Sequence, residues 1–240
     1  MNIYNHIYIT GDTHGDFSDL VRDSARKGIT ENDLLIILGD AGLNYDNGEY
    51  DIQARKELSV VSADVLCIRG NHERRPNSPD IRWKYEMKSW MGGNVFVQSA
   101  YPRILFAPDG SRYSLNGREF LVIGGAYSVD KPYRLAHGYS WFPDEQLTDS
   151  EKKAITENVT SHGNHEDIIL SHTCPYNYQP LDCFLPGIDQ RHVDKSTESF
   201  LQYILDSLED SYSALYCGHW HIDRNVGKVH FLFHRITKLC

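Results

Sequence analysis

Leu34-Leu35-Ile36-Ile37-Leu38-Gly39-Asp40 sets five aliphatic side chains in a row and then stops them with a glycine and a carboxylate. A strand covered on both faces accepts an unbroken run of this kind, and a stop of glycine after so few residues argues against a helix. The same grammar recurs on either side. His6–Thr10 (HIYIT) runs into Gly11-Asp12-Thr13-His14-Gly15-Asp16, and Val65–Arg69 (VLCIR) into Gly70-Asn71-His72-Glu73. Further on, Asp167–Leu170 (DIIL) leads to Ser171-His172-Thr173, and Ala214–Cys217 (ALYC) to Gly218-His219-Trp220-His221. Five buried strands are expected, each delivering a polar cluster at its carboxyl end.

Helix-like stretches at 17–28 and 51–62 separate the early strands, which predicts βαβ units and a sheet covered by helices. Ligand sites in such sheets form outside the carboxyl ends of the strands, so all five clusters are expected at one edge. Residues 94–126 read differently. VFVQ, RILFA, RYSL and EFLVIGG follow one another closely, with Asp109-Gly110 and Asn116-Gly117 as turns, which predicts mostly antiparallel strands. Helices are expected at 144–159, opened by Pro143-Asp144, and at 196–208, with a strand-rich tail from 222 to 238. No linker or repeat interrupts the chain, so residues 1–240 are read as a single domain.

The 240 residues are 40% hydrophobic and 24% charged, as in an ordinary globular protein, and carry a formal net charge of -9. That balance does not favour long-range attraction to nucleic acid or to anionic membranes. It leaves phosphate substrates open, because bound cations supply positive charge locally. Cys67, Cys174, Cys183, Cys217 and Cys240 are odd in number, widely spaced and free of a CxxC motif, which points to a reducing compartment. The start MNIYNHIYITGD has no signal-peptide pattern, and no apolar run approaches the roughly 20 residues that span a bilayer. A cytoplasmic protein without a membrane partner is expected; oligomeric state is not legible.

Collected in order, the clusters offer Asp12, His14, Asp40, Asn71, His72, His172, His219 and His221. Carboxylate, imidazole and amide oxygen together suit borderline divalent ions such as Mn, Fe, Zn or Co. The series Asp12-x-His14, Gly39-Asp40, Gly70-Asn71-His72-Glu73, His172 and Gly218-His219-x-His221 resembles the calcineurin-like metallophosphoesterase superfamily. Its blocks run from residue 11 to residue 221. The resemblance implies an α/β (α+β) fold, a two-sheet β-sandwich flanked by helices. It also implies two divalent metal ions, Mn favoured, bridged by Asp40. One would be held by Asp12, His14, Asp40 and His221, the other by Asp40, Asn71, His172 and His219. His72 would face the phosphoryl oxygens or the leaving group as the catalytic residue. Two cations about 3.5–4 Å apart acidify a shared water, so a metal-bound hydroxide becomes available near neutral pH to attack phosphorus. A protonated His72 would stabilise the transition state or give a proton to the leaving oxygen.

The expected activity is hydrolysis of a small phosphorylated substrate, a phosphomonoester or phosphodiester. The alternatives are a nuclease or RNA-processing phosphodiesterase, for which the charge gives no sign, and a scaffold that has lost its metal chemistry. Every expected ligand position is filled, which argues against the scaffold. One block departs from the serine/threonine phosphatases: GDAGLN stands where they carry GDxVDRG. Leu43 replaces a carboxylate and the following arginine is missing, so their protein substrates are not carried over. Arg74 and Arg75 after the GNHE loop, and Lys131, Arg134 and His137 after Gly124-Gly125, are candidate substrate contacts.

Overall fold

The computed structural model describes residues 4–239. β1 (Ile7–Thr10), β2 (Leu34–Ile37) and β3 (Asp64–Cys67) run parallel, joined by α1 (Ser18–Lys27) and α2 (Glu49–Leu58). β6 (Tyr101–Phe106) continues the sheet in parallel beside β3. β5 (Gly93–Gln98) and then β4 (Glu86–Trp90) extend it antiparallel. A second sheet is built from β7 (Arg112–Leu115), β8 (Arg118–Ile123), β9 (Glu166–Ser171), β10 (Tyr212–Cys217), β11 (Arg224–Val226) and β12 (Val229–Phe231). In it β8, β9, β10 and β12 are mutually parallel neighbours. β13 (Thr237–Leu239) returns to the first sheet, antiparallel to β1, giving seven strands there against six in the second.

The apolar runs are explained by burial on both faces. Leu34, Ile36 and Leu38 of the first sheet meet Tyr113, Phe120, Val122, Ile168 and Leu170 of the second in one core between the sheets. Their neighbours Leu35 and Ile37 face the other way, under Leu20, Ala54 and Leu58 of α1 and α2. On the far side, Leu121, Ile169 and Leu215 pack under α4 (Asp149–Ser161) and α5 (Ser196–Leu208) through Ile155, Val159, Leu201 and Ile204. The result is a helix-flanked two-sheet sandwich, as expected. Each fully buried Leu or Ile contributes about 1.5–3 kcal/mol by leaving water. No helix among the described residues is long and apolar enough to cross a membrane.

Three local expectations need correction. Within residues 94–126, β5 with β6 and β7 with β8 pair antiparallel as expected, but the chain changes sheets between the two pairs. β6 and β8 are each parallel to a neighbour, and their buried apolar residues suit interior strands. Asn116-Gly117 is the expected hairpin turn, with φ of 51° and 80°. Asp109-Gly110 is also a tight turn, with Gly110 at φ 77° and Ser111 N donating to Pro108 O at 3.2 Å, but it lies on the crossing between sheets. Second, α4 begins at Asp149 rather than at Asp144. Thr148 and Glu151 form a reciprocal capping box there, which outranks Pro143-Asp144 as a start signal. Third, β4 and the short α3 (Lys131–His137) were not expected; α3 has Pro132 in its first turn and ends at Gly138, φ 73°.

Replacing the fully buried Ile36 by alanine leaves a cavity between the sheets. It is expected to cost about 2–5 kcal/mol, read as a lower urea midpoint at unchanged slope.

Candidate metal centre

Each of the five parallel strand ends presents donors to one place. Asp12 and His14 follow β1, Asp40 follows β2, Asn71 follows β3, His172 follows β9, and His219 and His221 follow β10. Four of these residues have left-handed backbone: His14 at φ 48°, Asp40 at 44°, His219 at 65° and His221 at 51°. Such conformations cost non-glycine residues of the order of 1–3 kcal/mol each and collect at functional sites. The backbone is also crowded there. A Cβ on Gly70 would lie 2.0 Å from Asp40 Oδ1, and one on Gly218 would lie 2.2 Å from Asp12 Oδ1. These glycines let two loops close onto two carboxylates.

Asp12 and Asp40 are 1% and 2% exposed. Each takes one backbone N–H: His219 N donates to Asp12 Oδ1 at 2.8 Å and His72 N to Asp40 Oδ1 at 2.8 Å. Asp12 Oδ2 is left buried without a hydrogen-bond partner among the described residues. Around it, His221 Nε2 lies at 3.3 Å and His14 Nε2 at 3.8 Å, while those two nitrogens are 2.9 Å from each other. Asp12, Asp40 and His172 form a second, fully buried group of converging donors. His172 Nδ1 donates to Leu38 O at 2.7 Å, which turns Nε2 inward to 3.6 Å from Asp40 Oδ2 and 2.8 Å from Asn71 Oδ1. Asn71 Nδ2 donates to Ser128 Oγ at 2.8 Å, Ser128 Oγ donates to Glu145 at 2.5 Å, and Trp141 Nε1 donates to the same Glu145 oxygen at 2.9 Å. That chain points the amide oxygen, not the nitrogen, at the cluster. An unpaired carboxylate oxygen ringed by imidazoles and an amide oxygen fits divalent cations.

The electrostatics run the same way. Burial disfavours the charged form of His172, but Asp40 and Asp12 outweigh it and lift its pKa to about 9. Burial, and then the charge of His172, drive its neighbour His219 down to about 3, which leaves that imidazole neutral, the form in which a histidine can bind a metal. Asp40 is disfavoured as a carboxylate by burial, yet His172, His72 and His14 hold its pKa well below the usual range. Glu73 is pushed up to about 8 by burial and by Asp40; uncharged, it takes the Gly70 N–H at 2.8 Å without adding a third negative charge.

A model of the calcineurin-like phosphoesterases matches residues 6–223. The chain belongs to this family. Over 130 residues, 52% of the chain, it is 27% identical to serine/threonine-protein phosphatase 5 of Arabidopsis thaliana. It covers 23% of that protein, so it spans about a quarter of the length of that curated relative. Among solved structures it resembles TT1561 of Thermus thermophilus, with TM-score 0.50, 11% identity and 97% of each chain covered. It also resembles the phosphopantetheinyl hydrolase PptH of Mycobacterium tuberculosis, with TM-score 0.50, 14% identity, and 97% of this chain and 89% of that one covered. Likeness at such identity speaks for the calcineurin-like fold alone.

Against this family frame, the substrate contacts expected from sequence divide. Arg74 is tied to Asn44 O, Tyr45 O and Asp80, and Arg75 to Asp144, Gln146 O and Glu151; neither lines the cavity beside the cluster. Those guanidiniums staple loops. Lys131 lies over the Trp141 ring at 3.7 Å, and exposed His137 donates to Tyr133 O and stacks on Tyr133. Arg134 is different: its Nη2 is 3.3 Å from His72 Nε2, and Asp130 anchors its Nε at 2.7 Å. Gly124-Gly125 admits the buried Arg69, since a Cβ on Gly125 would meet Glu145 O at 2.4 Å and the Arg69 guanidinium at 2.5 Å. Leu43, where related phosphatases carry a carboxylate, is fully buried in the core beneath α1 and α2. Burial and the charge of Arg134 lower the His72 pKa in spite of Asp40, which works against the protonated form. Ser128 lies on the segment that follows Gly124-Gly125 and lines the cavity, but its support of Asn71 through Glu145, shared with Trp141, carries no local sequence signal, since these partners lie far along the chain from Asn71.

Proton and cation compete for His172 Nε2. Divalent-ion affinity is therefore expected to rise with pH up to about pH 9, with proton release on binding, as calorimetry in buffers of different ionisation enthalpy will read.

Proposed function

We propose that this chain hydrolyses phosphoesters at a centre of two divalent ions. Asp12, His14, Asp40 and His221 hold one ion, and Asp40, Asn71, His172 and His219 hold the other. The convergence of seven donor side chains from five strand ends, four of them in left-handed backbone, carries the reading. Two carboxylates, an amide and four imidazoles without a thiolate suit borderline ions such as Mn, Fe, Zn or Co, and manganese, which the family resemblance favours, is the first to supply. Such ions, when bound, acidify water and withdraw charge from phosphoryl oxygens.

The chain's own residues do the rest. The buried carboxylates Asp12 and Asp40 draw cations to the cluster. Ser128 fixes the amide of Asn71, which adds an oxygen ligand without adding charge. His72, anchored through its backbone by Asp40, offers Nε2 to the phosphoryl group or the leaving oxygen. Burial and Arg134 disfavour its protonated form, so it takes up a proton as negative charge builds on the substrate. Arg134, held by Asp130, presents the cation that grips the phosphate, the task for which related phosphatases use an arginine in the block that Leu43 interrupts here.

Purified protein supplied with Mn is expected to bind two ions and to hydrolyse p-nitrophenyl phosphate or its bis ester; no turnover with any divalent metal, together with at most one ion bound, overturns the reading. The ratio of the two rates assigns monoester or diester preference. Asp40→Asn is expected to abolish turnover and weaken both ions, whereas full activity removes the bridge. His72→Ala is expected to keep the ions and slow turnover roughly 10²–10⁴-fold.

A further inference from the structure

Beside the candidate centre opens a cavity of about 340 Å³. Pockets of about 300–1,000 Å³ enclose small organic ligands. One end is formed by the donors Asp40, Asn71, His72 and His219. Across the rest of it Val129, Phe184, Leu185, Ile188, Val193 and Trp220 supply an apolar wall, with Gln179, Gln190, Lys195 and Glu198 as polar liners among them. Most of it comes from residues 179–195, a connection between β9 and α5 with no strand or α-helix of its own. Long irregular connections in compact domains are commonly functional.

This connection is fixed in place. Both oxygens of Asp182 accept from Arg224 of β11, at 2.8 and 2.7 Å. Phe184 stacks on Trp220 with centroids 5.5 Å apart and planes 12° from parallel. Lys195 lies over the Phe184 ring at 5.0 Å and donates to Gln179 at 3.1 Å. Trp220 stands between the donors His219 and His221, so the aromatic pair joins the apolar wall directly to the centre. Leu185, which lines the cavity, is 59% exposed.

We propose that this cavity holds the organic part of the substrate, which makes the preferred substrate a small phosphoester of an apolar alcohol. The inference rests on the hydrolase reading above. Lys195 donates to Gln179 and Glu198 accepts from Thr173, so a peptide or nucleic-acid backbone would leave most of its polar groups against the apolar side chains unpaired, at a cost that an alkyl or aryl group avoids. The net charge of -9 adds nothing for a polyanion.

Binding of methyl-, butyl- and octylphosphonate to the Mn-loaded protein, followed by calorimetry, tests this. Affinity is expected to rise with chain length, by roughly fourfold for each methylene that the cavity buries. In Leu185→Asp/Ile188→Asp the octyl-to-methyl affinity ratio is expected to fall at least tenfold with an unchanged circular dichroism spectrum. Both positions are at least partly exposed, so the pair does not open the core. Equal affinities along the series, or a ratio that survives the double substitution, overturns the assignment. The two readings separate cleanly: turnover of p-nitrophenyl phosphate without chain-length dependence removes the cavity assignment alone. Chain-length dependence without turnover of any ester removes the hydrolase reading, and with it the substrate assignment, while leaving the cavity's preference for apolar chains.

Discussion

Asp12 and Asp40 are two carboxylates with almost no contact with water, placed at adjacent strand ends and facing the same imidazoles. Burying charge of one sign is costly unless it is paired, and each carboxylate here receives one backbone N–H from a neighbouring loop. The surrounding side chains read as answers to that constraint. His172 and His72 hold Asp40 ionised, Glu73 stays neutral beside it, and Asp12 Oδ2 keeps an unshared oxygen turned into the cluster. Cations complete such an arrangement more fully than any further side chain nearby.

The sandwich makes this placement possible. Asp12, Asp40 and Asn71 leave strands of the first sheet, while His172, His219 and His221 leave strands of the second. A single sheet would spread these residues along one edge. Two sheets packed face to face bring their parallel carboxyl ends opposite each other, and the core between them sets the spacing. The cost appears as left-handed backbone at four donors and as glycines that no side chain can replace without striking a carboxylate. Packing elsewhere sustains that strain.

Outside the donors, the structure replaces one set of supports with another. The block that gives related phosphatases a carboxylate and an arginine gives this chain Leu43, whose side chain belongs to the core. Arg134 from α3 approaches His72 instead, anchored by Asp130 one helical turn away. Arg69, which precedes the Gly70-Asn71-His72-Glu73 block, never reaches the cluster. Its guanidinium binds Asp109, Gly124 O and Glu145 O, tying the end of β3 to the end of β8 across the sheets.

How much was legible depended on whether the signal was local. Gly39-Asp40 and Gly218-His219-x-His221 declared themselves because strand burial and glycine stops act on consecutive residues, and the family blocks preserve their spacing. The hairpin at Asn116-Gly117 was readable for the same reason. The change of sheet near Asp109, the looping of Arg74 and Arg75 away from the centre, and the Ser128–Glu145 support of Asn71 were not. Each is settled by contacts between segments tens of residues apart, which leave no period in the chain. The sequence by itself determined the strands, the donor types and the order in which they arrive. Only the tertiary structure decided which cations reach the centre and which wall stands opposite it, because side chains of the same chemistry are either engaged or left facing the cavity according to what packs beside them.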